Sequence, residues 1–105
     1  MVQAQVMTLV NKSYELMFRG MPKALERNGI EITKRDFHNK EIKGRMILGP
    51  PWNNAEFHMK FYHSRGYTLI EANVKKHNWF RKNEVMKRLM ESLIDDIEKI
   101  GNNQA

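Results

Sequence analysis

The chain has 105 residues, 41% of them hydrophobic and 29% charged, and its formal net charge is +6. A chain of this length makes a single domain that buries about two-thirds of the surface its unfolded form exposes, and no biased tract points to disorder. Cysteine is absent, which excludes disulfide scaffolds, thiolate metal sites, iron–sulfur clusters and cysteine nucleophiles, and favours a reducing, cytoplasmic compartment.

Val2, Ala4, Val6, Thr8 and Val10 alternate with Gln3, Gln5, Met7 and Leu9, the period of a first strand. The start, Met1-Val2-Gln3-Ala4-Gln5, has neither the basic opening nor the apolar run of a signal peptide. Asn11-Lys12-Ser13 fits a glycosylation pattern but reads as the turn into a helix, with Asn11 and Ser13 offering capping oxygens. Tyr14, Met17, Phe18, Met21 and Leu25 give that helix an apolar face. Gly20 and Pro22 fall inside it and predict a kink or two short helical pieces, because Pro22 lacks the N–H its turn needs. Asn28-Gly29 is the stop, with Gly29 in the left-handed position.

Four further strands follow. The second holds Ile30 and Ile32, the third Ile42, Gly44, Met46 and Leu48, the fourth Ala55, Phe57, Met59 and Phe61, and the fifth Thr68, Ile70, Ala72 and Val74, each set alternating with the residues of the opposite face. A two-residue turn at Arg65-Gly66 pairs Phe57 with Val74, Met59 with Ala72 and Phe61 with Ile70. The same turn sets Lys60 opposite Glu71 and Glu56 opposite Lys75 on the other face, pairs of opposite charge that the apolar match never used. Pairing Ile32 with Ile42 and Leu48 with Ala55 extends the open face into a row Glu31, Lys43, Lys60, Glu71. A second helix begins near residues 79–83, turns Met86, Leu89, Met90, Leu93, Ile97 and Ile100 inward, and closes at Gly101.

The expected architecture is α+β, an antiparallel sheet in β-α-β-β-β-β-α order with two helices packed on one face, as a single domain over residues 1–101 and a disordered tail over 102–105. That order, with Gly29-Ile30-Glu31-Ile32 after the first helix and Glu41-Ile42-Lys43-Gly44 opening a strand, resembles the small helix-grip domains, among them that of the lipoprotein of the bacterial outer-membrane β-barrel assembly machinery. The resemblance spans about residues 6–100 and implies a helix-grip fold. Without a lipoprotein signal or a cysteine, the envelope setting does not carry over. Helix-grip members bind lipids, small molecules or proteins, so the fold does not choose the ligand.

The second helix carries an unusual charge order. Residues 75–88 hold six Lys/Arg and one Glu, whereas 91–99 carry Glu91, Asp95, Asp96 and Glu98 against Lys99. The helix dipole favours the reverse by about 0.3–1 kcal/mol per well-placed charge. An anion docked at the helix start would use both its free N–H groups and the cations. Lys75, Lys76, Arg81, Lys82, Lys87 and Arg88 are the candidate binding residues, with Trp79 free to stack on a base or, like Phe80, to pack beneath the helix. The plain alternative is a solvated basic turn. On the open sheet face, Arg45, His58, Lys60, Tyr62 and Tyr67 are interleaved with Glu31, Glu56 and Glu71, and no RNP-like sequence accompanies them, so that face reads as solvated. Tyr62, Leu69, Tyr67 and Ile47 leave apolar surface on it for a weak homodimer contact.

No metal or cofactor is implied. His38, His58, His63 and His77 lack zinc-site spacing, and His58 and His63 fall on opposite sides of their strand. Ser13, Ser64 and Ser92 lie outside nucleophile-elbow contexts, Gly49-Pro50-Pro51-Trp52 reads as a rigid turn and not a phosphate loop, and Asp95-Asp96 reads as a solvated helix face. The functional expectation is a non-catalytic module for an anionic partner, nucleic acid first. The alternatives are a lipid or small-molecule site between the first helix and the sheet, lined by adaptable methionines, or a protein-interaction module.

Overall fold

The structure, a computed structural model, describes residues 2–47, 55–76 and 83–102, with side chains described for 5–47, 55–75 and 91–100. Its elements are β1 (Val2–Val10), α1 (Tyr14–Arg27), β2 (Ile30–Asp36), β3 (Glu41–Met46), β4 (Glu56–Ser64), β5 (Tyr67–Lys76) and α2 (Asn83–Asn102). The strands form one antiparallel sheet in the order β1-β5-β4-β3-β2. This is the predicted α+β architecture: a strand crossing to the far edge, a helix, a four-strand meander and a closing helix.

Local chemistry sets the ends of α1. The Ser13 hydroxyl accepts the Leu16 N–H at 3.2 Å, satisfying one of the donors a helix start leaves free. At the other end Asn28 caps the helix and Gly29 takes φ 76°, a conformation that costs glycine little. Tyr14, Met17, Phe18, Met21, Ala24 and Leu25 are buried, the face that the spacing predicts plus Ala24. Pro22 does not divide the helix, and one element runs from Tyr14 to Arg27. The predicted split into two pieces is therefore not observed. An uninterrupted apolar face on both sides of Pro22 holds the turns together although one backbone bond is missing.

The β4–β5 hairpin has the predicted register throughout, from Glu56 opposite Lys75 to Ser64 opposite Tyr67, with Gly66 at φ 78°. Phe57, Phe61, Ile70 and Val74 are at most 2% exposed, while Lys60 is exposed and Glu71 half-exposed beside it. Two other registers differ from expectation. In β3–β4, Lys43 lies opposite His58 and Glu41 opposite Lys60, and the Met46 N–H bonds to Ala55 O at 2.9 Å, so β4 is displaced by two residues from the predicted pairing. In β2–β3, Ile32 faces Gly44 rather than Ile42, and a bulge between Ile32 and Lys34 shifts the rest of the strand. A Cβ on Gly44 would stand 2.5 Å from Glu31 O and 3.0 Å from Ile30 Cγ2, so the bulged strand closes against a position that only glycine fits.

Both helices pack on the same face of the sheet. One continuous cluster joins Met17, Met21 and Leu25 of α1 to Ile42, Met46, Phe57 and Met59 of the sheet and to Leu93 and Ile97 of α2. The predicted inward residues Met86, Leu89 and Met90 have side chains outside the described residues. The helix continues through Gly101 to Asn102, one residue into the predicted tail and within the range over which helix ends fray.

Gly20 is where the helices cross. A methyl group built on it would lie 2.5 Å from Ile100 Cγ2, on a stiff β-branched side chain. Gly20→Ala gains about 1 kcal/mol of helix propensity, but overpacking of this kind costs about 1–3 kcal/mol. Denaturant unfolding of G20A is expected to show a net loss. In an Ile100→Ala background the same change should become stabilising, and a loss of equal size there would remove the contact as its cause.

Candidate functional site

The open face, opposite the helices, is ordered in rows across the strands. Gln3, Lys75, Glu56, Arg45 and Glu31 are in register across one end of the sheet. Next come Gln5, Asn73, His58, Lys43 and Lys34, then Met7, Glu71, Lys60, Glu41 and Asp36. Leu9, Leu69 and Tyr62 form the following row, and Tyr67 with Ser64 ends the face. One end is therefore polar and the other apolar, with Met7, Leu9, Tyr62 and Tyr67 all large and exposed. Ile47 is exposed too, but it follows Met46 at the polar end and so is not part of the apolar patch it was expected to join.

A hollow of about 570 Å³ lies over the polar rows, lined chiefly by Gln5, Lys43, Glu56, His58, Lys60 and Lys75. Among the described residues the ion pairs are Lys34–Asp36 (3.8 Å), Lys34–Glu41 (3.6 Å), Arg45–Glu31 (2.7 Å) and His58–Glu41 (3.0 Å). None of them engages Lys43, Lys60 or Lys75. The Glu71 carboxylate accepts instead from Gln5 Nε2 at 2.7 Å and from the Tyr62 hydroxyl at 3.4 Å. The opposite-charge partners expected from the hairpin thus share a register without an ion pair, and among the described residues the three ammonium groups around Asn73 have no carboxylate partner. Lys43 joins His58 and Asn73 in this site through the true β3–β4 pairing, which the apolar pattern alone does not supply.

Of the candidate residues at the start of the second helix, Lys75 is exposed and lines the hollow. Lys76 closes β5 opposite Val2, with its side chain outside the described residues. Trp79, Arg81 and Lys82 lie outside the described residues altogether, and Lys87 and Arg88 belong to α2 with side chains outside them. Asp96, read as a solvated acid, accepts a 2.8 Å hydrogen bond from Asn28 Nδ2 and ties the two helices together. Among the described residues no group of three or more His, Asp and Glu could hold a metal ion. No described helix is long and apolar enough to cross a membrane.

The far end of the domain is aromatic. Tyr14 stacks on Phe37 at 4.9 Å between ring centroids and meets Phe18 and Phe61 at 5.5 Å, while its hydroxyl donates to Phe37 O. Lys40, at φ 56°, carries its ammonium 5.6 Å from the Tyr14 ring centre. Burial, with Asp36 adding to it, pushes the Tyr14 hydroxyl above the usual tyrosine range. Between α1 and the sheet, Met17 and Met21 of the helix and Ile42, Met46 and Met59 of the strands are all 0% exposed.

The fold is that of the helix-grip and START-like proteins. Three solved structures illustrate it. An uncharacterised protein from Bacillus thuringiensis superposes with a TM-score of 0.72 at 8% identity, over 93% of this chain and 97% of its own. Aha1 from Colwellia psychrerythraea, solved as a dimer, gives 0.65 at 14% identity over 93% and 97%. A START superfamily protein from Mycobacterium smegmatis gives 0.60 at 9% identity over 93% and 92%. None of the three ties the chain to the β-barrel assembly lipoprotein, and identities this low establish the fold alone. No family model matches the sequence, and no curated protein matches it.

Two carboxylates give the domain an acid-sensitive element. The backbone and side-chain N–H groups of Asn39 hold Asp36 below its ordinary pKa, and the hydrogen bond with His58, aided by Lys43 and Lys34, does the same for Glu41. A depressed pKa in the folded state contributes stability that is present above the unfolded value and is lost as pH falls through the folded one. Unfolding midpoints should therefore drop as pH falls below about 4. Asp36→Asn with Glu41→Gln should flatten that limb. An unchanged acid limb in the double variant would assign it to other groups.

Proposed function

We propose that the chain is a non-catalytic binding module for an anionic partner, with nucleic acid the first choice. The partner would lie along the polar half of the open face and continue onto the basic stretch of residues 75–88. The supporting observation is Lys75, which lines the hollow with Lys43 and Lys60, none of them in an ion pair among the described residues, and which also begins the stretch of six Lys/Arg against one Glu. Glu56 and Glu71 keep the field over the hollow modest, so the hollow supplies hydrogen-bond donors and the adjoining stretch supplies charge. Within that stretch Lys76, Arg81, Lys82, Lys87 and Arg88 would meet phosphates, and Trp79 would stack on a base.

Two triple variants test the reading, Lys43, Lys60 and Lys75 to Gln and Lys82, Lys87 and Arg88 to Gln. Each is titrated with labelled single-stranded DNA and RNA at several salt concentrations. Wild type should bind more weakly as salt rises, with a slope of about −0.7 per neutralised phosphate on a single strand. Each triple variant should bind less and show a flatter slope. The second variant should also be as stable as wild type or slightly steadier, since it removes cations from the positive end of a helix. Wild type that binds neither strand at low salt would end the nucleic-acid reading, and full binding by both variants would end the site.

A further inference from the structure

The two edges of the sheet are defended unequally. The outer edge of β2 carries a bulge between Ile32 and Lys34 and ends in Lys34, Arg35 and Asp36, the devices by which native proteins prevent edge-to-edge pairing. β1, at the other edge, is nine residues long, contains no charged residue and no proline, and pairs with β5 from Val2 to Val10 without a register shift. Every other strand carries at least two charged side chains. Among the described residues, one side of β1 therefore presents a regular, unbulged row of backbone donors and acceptors.

Apolar exposure gathers on the same edge. Leu9 is 64% and Met7 50% exposed on the open face of β1. On the helix side, α2 turns Ser92, Asp96 and Ile100 to α1 and Leu93 and Ile97 to the core. Helical spacing then places Ile94 on the flank facing away from α1, toward β1, where it is half-exposed.

We propose that β1 pairs antiparallel with β1 of a second copy of this chain about a two-fold axis normal to the sheet, joining two five-stranded sheets into one of ten strands. An antiparallel strand is the element that can pair with itself under such an axis. A residue on the axis keeps both helix layers on one side. With Val6 there, Gln5 falls opposite Met7 and Ala4 opposite Thr8, and the two α2 helices come alongside with Ile94 between them. Charge favours a copy over an anionic partner at this edge. β1 has no cation to offer an anion, and two chains of net charge +6 repel least where they carry no charge.

The test uses the full chain. Sedimentation or light scattering over a concentration series should show a monomer–dimer equilibrium in wild type. Met7→Lys with Leu9→Lys, both at exposed positions, should weaken it at least tenfold while the circular dichroism spectrum stays that of the folded domain. Mixing Met7→Lys with Met7→Glu should restore a dimer that neither forms alone. Hydrogen exchange on wild type tests the same edge without substitution, since the half of the β1 amides not bonded to β5 should become slower to exchange as concentration rises. A wild type that stays monomeric into the millimolar range would overturn the proposal. So would a dimer that the lysine variant leaves intact, or β1 amides that exchange at the same rate at every concentration.

Discussion

The position of α2 depends on one buried amide. Asn28, 7% exposed at the end of α1, donates from Nδ2 to Ala24 O at 2.7 Å and to Asp96 Oδ2 at 2.8 Å, and its Oδ1 accepts from the Ser92 hydroxyl at 3.0 Å. An amide left unpaired at such depth costs about 1–3 kcal/mol. The three bonds form together only when α2 sits at one height along α1. That height places Ile100 over Gly20 and turns Leu93 and Ile97 onto the sheet. Apolar packing alone would tolerate a sliding helix, and the polar contact selects one position from that continuum.

Some of this was legible in the sequence and some was not, for reasons that differ by residue. Alternation places Phe57, Met59, Phe61, Ile70, Ala72 and Val74 on the core side because a strand has only two faces. The β4–β5 register was also fixed, because a two-residue turn leaves one pairing that satisfies both faces. The β3–β4 register had no such constraint. Its two-residue displacement keeps every side chain on its predicted face, so burial cannot report it, while the charged partners across β3 and β4 all change. The β2 bulge escaped notice because beyond Ile32 the strand reads Thr-Lys-Arg-Asp, with no apolar residue to betray a change of phase.

Gly20 and Pro22 show how a local rule can identify a special position and leave part of its role unread. Propensity marks both as helix breakers. The structure keeps the helix and uses Gly20 for the close approach of a neighbour that lies eighty residues away in the chain. The open face gives a parallel case. Glu31, Glu56 and Glu71 were read as offsetting the cations of that face, and Glu31 does pair with Arg45, but Glu71 takes its hydrogen bonds from Gln5 and Tyr62 rather than from Lys60 opposite it. Which donor a carboxylate chooses follows from strand neighbours across the whole sheet, and strand periodicity carries no such information.

The placement of β1 also dictates an order of events in time. The pairings among β2, β3, β4 and β5 join strands that follow one another along the chain, so each closes a short loop. β1 must find β5, with contacts as distant as Val2 and Lys76. Loop closure over that distance carries the larger entropic penalty, and contacts of long separation slow folding. The Arg65-Gly66 hairpin is thus expected to be structured in the folding transition state while β1 docks after it, a sequence that higher φ-values at Phe61 and Ile70 than at Val10 would record. Until β1 arrives, the inner edge of β5 stands open, and a growing chain spends that interval with its most easily extended strand unclaimed.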